Sequence, residues 1–298
     1  MFEGVFPAII TPFTRGNRPD TDDRSDLDLE GLRTNVEWLV KQGVHGIVPC
    51  GSTGESATMS HKEHEKVVEE TVDVVNGKVP VLAGTGSNNT EEALLLTKAA
   101  KNVGADGVLV ISPYYNKPNK SGLKKHYEKI ARVDIPVVMY NVPGRTGQNL
   151  EVDLVAALAK DPNIVGIKEA SGNLYQMWQI IEETRDESFN LISGDDNLTL
   201  PILQLGGVGV ISVAANVEPR LMVQMYDAFR KGNYREARDL HFRLEPLFKD
   251  LFIDTNPIPV KKAVGLRGMA AGPVRLHLDD LDQEKTGKLM KTLALYRP

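Results

Sequence analysis

The sequence predicts an α/β fold, a (β/α)8 TIM barrel carrying a small α-helical C-terminal extension. Two observations lead there. Eight Val- and Ile-rich runs, each flanked by Gly, Pro or Asn, alternate with helical patterns over residues 4–213. Beyond residue 216 the alternation stops and helical patterns follow one another. A doubly wound open sheet is the other architecture with this rhythm, but no glycine-rich dinucleotide fingerprint follows the first run.

The strand-like runs are 4–13, 46–51, 79–86, 107–115, 135–142, 164–168, 189–193 and 207–213. Between them, helical patterns cover 26–41, 62–75, 91–103, 122–133, 151–160, 174–184 and 198–204. In the second helix Val67, Val68, Thr71 and Val75 form an apolar stripe. Ser60 precedes that helix as N-cap, and Glu63 completes a capping box. After the barrel, 219–231, 234–251, 257–265 and 281–296 read as helices. This is more helix than closing a barrel requires. The expected division is therefore 1–224 for the barrel with its site and 225–298 for the helical domain.

Composition narrows the function classes. The chain has 298 residues, 41% hydrophobic and 25% charged, with a formal net charge of −5. No basic surface points to nucleic acid or to an anionic membrane. Cys50 is the only cysteine, so no intrachain disulfide framework exists and a reducing compartment fits. No apolar stretch approaches the ~18 residues of a membrane span, and Met1-Phe2-Glu3-Gly4 runs straight into a strand without the pattern of a signal peptide. The expectation is a soluble, cytoplasmic protein.

Lys168 is the most informative residue. It closes the apolar run Ile164-Val165-Gly166-Ile167, which reads as a strand buried on both faces. Lysine is among the side chains least often buried. Two readings fit: a lysine that snorkels from the strand end, or a desolvated amine of lowered pKa that attacks a carbonyl carbon. Barrel active sites draw groups from the C-terminal ends of several strands, so those ends matter. They present Gly51-Ser52-Thr53-Gly54-Glu55, Pro113-Tyr114-Tyr115-Asn116, Tyr140-Asn141-Val142-Pro143-Gly144-Arg145 and Ser193-Gly194-Asp195-Asp196.

The first of these can be a plain turn or an anion nest of backbone N–H groups with two hydroxyls beside it. Tyr140 fits either a core aromatic or a proton carrier for a neighbouring amine, with Ser52 or Thr53 as relay. Arg145, on a loop shaped by Pro143-Gly144, fits a surface ion pair or a carboxylate clamp. Gly206-Gly207-Val208-Gly209 has the look of a barrel phosphate site, yet a tight turn into the last strand explains it as well. Helix capping accounts for Asp195-Asp196 more cheaply than a metal does. His61 and His64, one helical turn apart, lack the further ligands a zinc site needs. The charge-dense loop 15–28 leaves the first strand at the catalytic end of the barrel.

Together Gly51 to Glu55, Tyr140, Arg145 and Lys168 resemble the pyruvate-dependent class I aldolase superfamily, which takes in the dihydrodipicolinate synthases and the N-acetylneuraminate lyases. The likeness runs from Pro7-Ala8-Ile9-Ile10-Thr11-Pro12-Phe13 to Asn256-Pro257-Ile258-Pro259-Val260-Lys261. Within the superfamily the chain looks most like the dihydrodipicolinate synthases, because the neuraminate lyases generally lack an arginine at the place of Arg145. The resemblance implies condensation of pyruvate with L-aspartate-4-semialdehyde in diaminopimelate and lysine synthesis. It implies a Schiff base on Lys168, no other cofactor and no metal. Other pyruvate-dependent aldolases, such as those acting on 2-keto-3-deoxy sugar acids, are the alternative.

By the same resemblance Tyr140, Ser52 and Tyr115 form the proton relay, with Tyr115 supplied by the neighbouring subunit. Thr53 and Ser52 hold the pyruvate carboxylate through their backbone, and Arg145 binds the semialdehyde carboxylate. The main-chain carbonyls of Gly194 and Ile211 border the pocket. The resemblance also implies a homotetramer built as a dimer of dimers. It implies allosteric inhibition by L-lysine at Ser56, Ala57, His61, His64, Asn88, Glu92 and Tyr114. Two departures stand out: Ser52 occupies a place usually held by threonine, and the loop after the first strand is longer and more acidic than usual.

Overall fold

The computed structural model describes residues 2–14 and 25–296. Seven strands form one parallel sheet: β1 (Gly4–Pro7), β2 (Leu82–Gly84), β3 (Gly107–Ile111), β4 (Val137–Asn141), β5 (Ile164–Glu169), β6 (Asn190–Ser193) and β7 (Gly209–Ser212). Their order is β1-β7-β6-β5-β4-β3-β2, which is sequence order wrapped into a curl. The gap between β1 and β2 is filled by the segment expected as the second strand. Val48 bridges Ala8 on one side, and Ile47 bridges Val81 on the other, both in parallel. The ring is thus an eight-membered parallel barrel.

That eighth segment is a correction to the sequence reading, which took 46–51 as a continuous strand. Its pairing is limited to single bridges for two local reasons. Pro49 has no N–H to donate to a ladder, and Cys50 takes a left-handed backbone with φ 57°. Backbone bonds still tie it in: Ile9 N–H donates to Val48 O at 3.0 Å, and Leu82 N–H to Ile47 O at 2.9 Å. Likewise β1 ends at Pro7, and residues 9–13 run on beyond the ladder.

The helices are α1 (Leu29–Lys41), α2 (His61–Val75), α3 (Thr90–Asn102), α4 (Lys120–Ala131), α5 (Pro143–Thr146), α6 (Val152–Leu158), α7 (Leu174–Glu183), α8 (Thr199–Leu205), α9 (Pro219–Arg230), α10 (Tyr234–Asp250), α11 (Ile258–Leu266) and α12 (Gln283–Ala294). The α2 capping box forms as expected, and Val67, Val68, Thr71 and Val75 are buried. Asn119 and Asn173 cap α4 and α7 through their side-chain oxygens. The short α5, one turn long, has no counterpart in the sequence reading; it carries Arg145.

Two apolar layers follow from the strand period. Outward residues such as Val108, Met139 and Ile167 pack under helix residues including Val67, Leu123 and Ile180. Inward residues Phe6, Val48, Leu82, Leu109, Val138, Tyr140, Ile192 and Ile211 fill the barrel. A third core joins barrel residues Val5, Ile10 and Val210 to Met222, Met225, Leu247, Val260 and Leu289 of the later helices. The expected boundary at residue 224 falls inside α9, which runs unbroken to Arg230.

Gly206 to Gly209 lie at the N-terminal end of β7, away from the catalytic mouth. A side chain at Gly209 would meet the Gly4 carbonyl oxygen at 2.2 Å, so these glycines serve strand approach. Residues 15–24 of the charge-dense loop lie outside the described residues.

Candidate active site

Strand register brings the central pair together. Tyr140 on β4 and Lys168 on β5 are direct Cα partners, so their side chains share the inward face. Lys168 is 7% exposed, and its Nζ lies 4.2 Å from the centroid of the Tyr140 ring. Burial pulls the Lys168 pKa down to about 8, against the pull of Asp195 and Asp196 and with a smaller push from Arg145. The snorkelling alternative is therefore wrong. Burial raises the Tyr140 phenol pKa above its usual value, so the hydroxyl stays protonated at neutral pH.

Gly194, after β6, makes room for the lysine. A Cβ at this position would stand 3.1 Å from Lys168 Cε and 2.6 Å from Ala170 Cβ. Gly194 N–H donates to Glu169 O at 2.8 Å, and Ile211 is fully buried on β7 beside Phe6 of β1. Asp195 and Asp196 do not cap the following helix with their side chains, contrary to expectation. Asp196 instead accepts from Ser212 Oγ at 2.5 Å, Val213 N at 3.0 Å and Ala214 N at 2.9 Å, bracing the end of β7.

The Gly51 to Glu55 turn closes on itself. Gly54 N–H donates to Gly51 O at 3.0 Å, and Glu55 N–H to Ser52 O at 3.2 Å. Among the described residues no acceptor takes the N–H of Ser52 or Thr53. Thr11 Oγ1 donates to Gly54 O at 2.7 Å, and Asn256 Nδ2 to Thr53 Oγ1 at 3.0 Å. The same Asn256 accepts from Arg145 Nη2 through its backbone carbonyl at 3.1 Å. One asparagine thus links the turn to the arginine.

A cleft of about 410 Å³ opens over this arrangement. Ser52, Tyr140 and Arg145 line it together with Ser56, Ala57, His61, His64, Glu92 and Tyr114. Lys168 packs against Tyr140, which lines the cleft, but is not itself among the lining residues. Thr53 and Asn88 sit at its margin through their partners: Thr53 through Asn256, and Asn88 by donating to Tyr114 O at 3.2 Å. Tyr115 is elsewhere. It is 88% exposed, with a left-handed φ of 72°.

The outer part of the cleft is polar and partly pre-paired. His61 Nε2 and Glu92 Oε1 are 2.6 Å apart, and Ser87 Oγ also donates to Glu92. These two bonds hold the Glu92 carboxyl below the usual range. His64 is buried with Nε2 at 2.8 Å from Gly84 O, and desolvation lowers its pKa.

Sequence reasoning gave no role to Asn256, Lys261, Arg275 or His277. Asn256, Pro257 and His277 reach the cleft from the C-terminal part of the chain. One signal for them was available: Asn256-Pro257 interrupts the helical pattern, and Lys261 interrupts the apolar run after it.

A family model for the dihydrodipicolinate synthetase family matches residues 1–295. The chain belongs to this family. Curated dihydrodipicolinate synthetase relatives named 4-hydroxy-tetrahydrodipicolinate synthase are 67% identical in Methanoculleus marisnigri, covering 99% of both chains, and 65% identical in Methanospirillum hungatei JF-1, covering 99% of this chain and 100% of the relative. Among solved members of the family, dihydrodipicolinate synthase of Aquifex aeolicus is 45% identical with a TM-score of 0.94, covering 99% of this chain and 98% of the other. The enzyme of Cyanidioschyzon merolae, solved with lysine bound, is 40% identical with a TM-score of 0.93 over 99% and 98%. A monomeric synthase variant is 41% identical with a TM-score of 0.93 over 99% and 96%.

Proposed function

We propose that this chain condenses pyruvate with L-aspartate-4-semialdehyde to 4-hydroxy-tetrahydrodipicolinate, in diaminopimelate and lysine synthesis. The observation that carries the reading is the buried Lys168 amine against Tyr140, in a chain so similar to named synthases. Neutral Lys168 attacks the pyruvate ketone carbon to give a carbinolamine, and loss of water leaves the imine. Loss of a methyl proton turns the imine into an enamine, whose carbon attacks the semialdehyde carbonyl. The semialdehyde amine then displaces Lys168 by transimination, closing the ring and restoring the enzyme. The protonated imine is itself the electron sink, so this chemistry asks for no metal or organic cofactor.

Tyr140, with Ser52, carries protons through carbinolamine formation and dehydration, and Tyr115 of a second copy extends the relay. The N–H groups of Ser52 and Thr53 take the pyruvate carboxylate, and Arg145 takes that of the semialdehyde. The carbonyls of Gly194 and Ile211 border the same space. A second reading, another pyruvate-dependent aldolase, keeps the imine and changes the aldehyde. Arg145, fixed on α5 and facing the cleft, favours an aldehyde that bears a carboxylate.

L-Lysine is the proposed regulator, seated in the outer cleft at Ser56, Ala57, His61, His64, Asn88, Glu92 and Tyr114. An acidic Glu92 among histidines suits an ammonium group, and a structural neighbour binds lysine. The proposed assembly is a homotetramer made of two tight dimers. Its support is the exposure of Tyr115, a side chain the relay needs from a second copy; the monomeric variant among the neighbours marks the other outcome. No helix among the described residues is long and apolar enough to cross a membrane, and small polar substrates suit the cytoplasm.

Turnover of pyruvate with aspartate semialdehyde, compared with other aldehydes and repeated with lysine, tests the reading. Borohydride with pyruvate should add a reduced pyruvyl group at Lys168. An unmodified Lys168 overturns it.

A further inference from the structure

The turn that ends in Glu55 is held from below by a buried ionic cluster that the reaction does not itself use. Glu55 has a left-handed backbone, φ 54°, and is almost fully buried. Its Oε1 accepts from Lys261 Nζ of α11 at 2.5 Å, and its Oε2 from the Arg275 backbone N–H at 2.9 Å. Lys261 is 2% exposed and lies 4.0 Å over the Phe13 ring. The Arg275 guanidinium stacks on the same ring at 4.1 Å and donates to Glu63 Oε1 at 2.6 Å and Thr58 O at 3.2 Å. A carboxylate, an ammonium and a guanidinium therefore clasp both ends of the 55–63 segment and Phe13, in the stretch that follows β1.

Such a cluster is an expensive way to gain stability, since desolvation offsets most of the attraction. What it supplies is a fixed geometry. We propose that the Lys261–Glu55–Arg275 cluster is a positioning device of the active site, holding the turn so that the Ser52 and Thr53 N–H groups aim at the substrate carboxylate. It makes α11, outside the barrel, a structural part of the site. The proposal rests on the reading of that turn as the pyruvate carboxylate cradle. Three observations support it together. The Ser52 and Thr53 N–H groups have no acceptor among the described residues, while their neighbours Gly54 and Glu55 do. Glu55 joins the turn directly to α11. Asn256, just before α11, fastens Thr53 by its side chain.

The test compares pyruvate with pyruvamide, its neutral isostere, in borohydride trapping of the imine. In the native enzyme the half-saturating concentration is expected to be far lower for pyruvate. In the Glu55→Gln/Lys261→Met variant, which removes the Lys261–Glu55 ion pair and keeps an acceptor for Arg275 N–H, that preference should fall about tenfold to 100-fold. A merely structural role would weaken both ketones alike and leave their ratio unchanged. The single variant Glu55→Gln, expected to shift the ratio in the same direction, serves if the double variant does not fold. A folded variant that keeps the native preference overturns the positioning role alone. A native enzyme that treats the two ketones alike overturns the cradle reading and this proposal with it.

Discussion

Lys168 and Tyr140 are cross-strand partners whose side chains meet with the amine 4.2 Å from the ring centroid. Burial against the Tyr140 ring deprives the ammonium of water, and its pKa falls to about 8. The second-order rate of imine formation with pyruvate should therefore rise through a pKa near 8 and level off above it, as the neutral amine becomes the main form. Stopped-flow or quenched trapping between pH 6 and 10 measures this, over roughly the span in which a lysine at ~10.5 would still be rising. A profile that keeps climbing tenfold per pH unit to pH 10 contradicts it.

The same burial has a cost. A lysine whose folded pKa lies below the unfolded value binds fewer protons folded than unfolded between the two values, so stability rises with pH there. The penalty is fully present below about pH 8 and shrinks as pH rises from there towards the unfolded value, where it is gone. At neutral pH it amounts to about 3 kcal/mol. Lys168→Met should raise the unfolding free energy by about 1–3 kcal/mol while abolishing imine formation. Burial lowers the Lys261 pKa as well, so the informative quantity is the gap between native protein and variant, which should narrow from pH 8 to 10. Denaturant melts at several pH values read it, and a less stable variant counts against the argument.

The barrel and the lysine were legible in the sequence because both rest on short-range rules. Alternation of strand and helix patterns dictates the architecture, and a charged residue closing an apolar strand violates burial preference visibly enough to mark Lys168. The run 46–51 misled for the opposite reason: its residues are apolar, but Pro49 and the left-handed Cys50 restrict it to single bridges. Asn256 and Lys261 were visible only as interruptions of a local pattern, Arg275 not at all, and the partners of all three were not legible. Their partners Thr53 and Glu55 are 203 to 220 residues away, and no local pattern announces a contact at that separation. Asp196 failed similarly, since its acceptor role depends on β7 lying beside β6 rather than on the helix that follows it.

Arg145 is held where it can act by Asn256, whose carbonyl accepts from its Nη2 at 3.1 Å. Arg145→Ala removes a charge-assisted carboxylate contact while leaving the lysine in place. The KM for aspartate semialdehyde should rise about tenfold to 100-fold, with imine formation from pyruvate changed little. Arg145→Lys should recover only part of the loss, because an ammonium cannot make the bidentate fork. Steady-state kinetics with both substrates varied separate the two effects. An unchanged KM for the semialdehyde removes Arg145 from its role.

Glu92 accepts from His61 and Ser87 at the outer end of the cleft, and both bonds keep it ionised. If lysine is the regulator, its side-chain ammonium is best met by this carboxylate. Glu92→Gln should then raise the half-inhibitory lysine concentration about tenfold or more with kcat in the absence of lysine nearly unchanged. Calorimetric titration with lysine gives the same comparison without turnover. Inhibition that survives the substitution undiminished places the ammonium elsewhere.

Tyr115 offers the sharpest test of assembly. It is 88% exposed and lies outside the cleft lined by Ser52 and Tyr140, so a role in the relay requires a second copy. Tyr115→Phe and Lys168→Met should each be severely impaired alone, the first in proton transfer and the second in imine formation. When the two are unfolded, mixed and refolded together, half of a random set of dimers pairs one chain of each kind. In such a dimer one site combines the intact lysine of one chain with the intact tyrosine of the other, while the second site lacks both. Activity should therefore return to about a quarter of the native value, the signature of a shared site in a two-fold dimer. If Tyr115 served its own chain, no mixed dimer would contain a complete site, and the mixture would stay as inactive as its components.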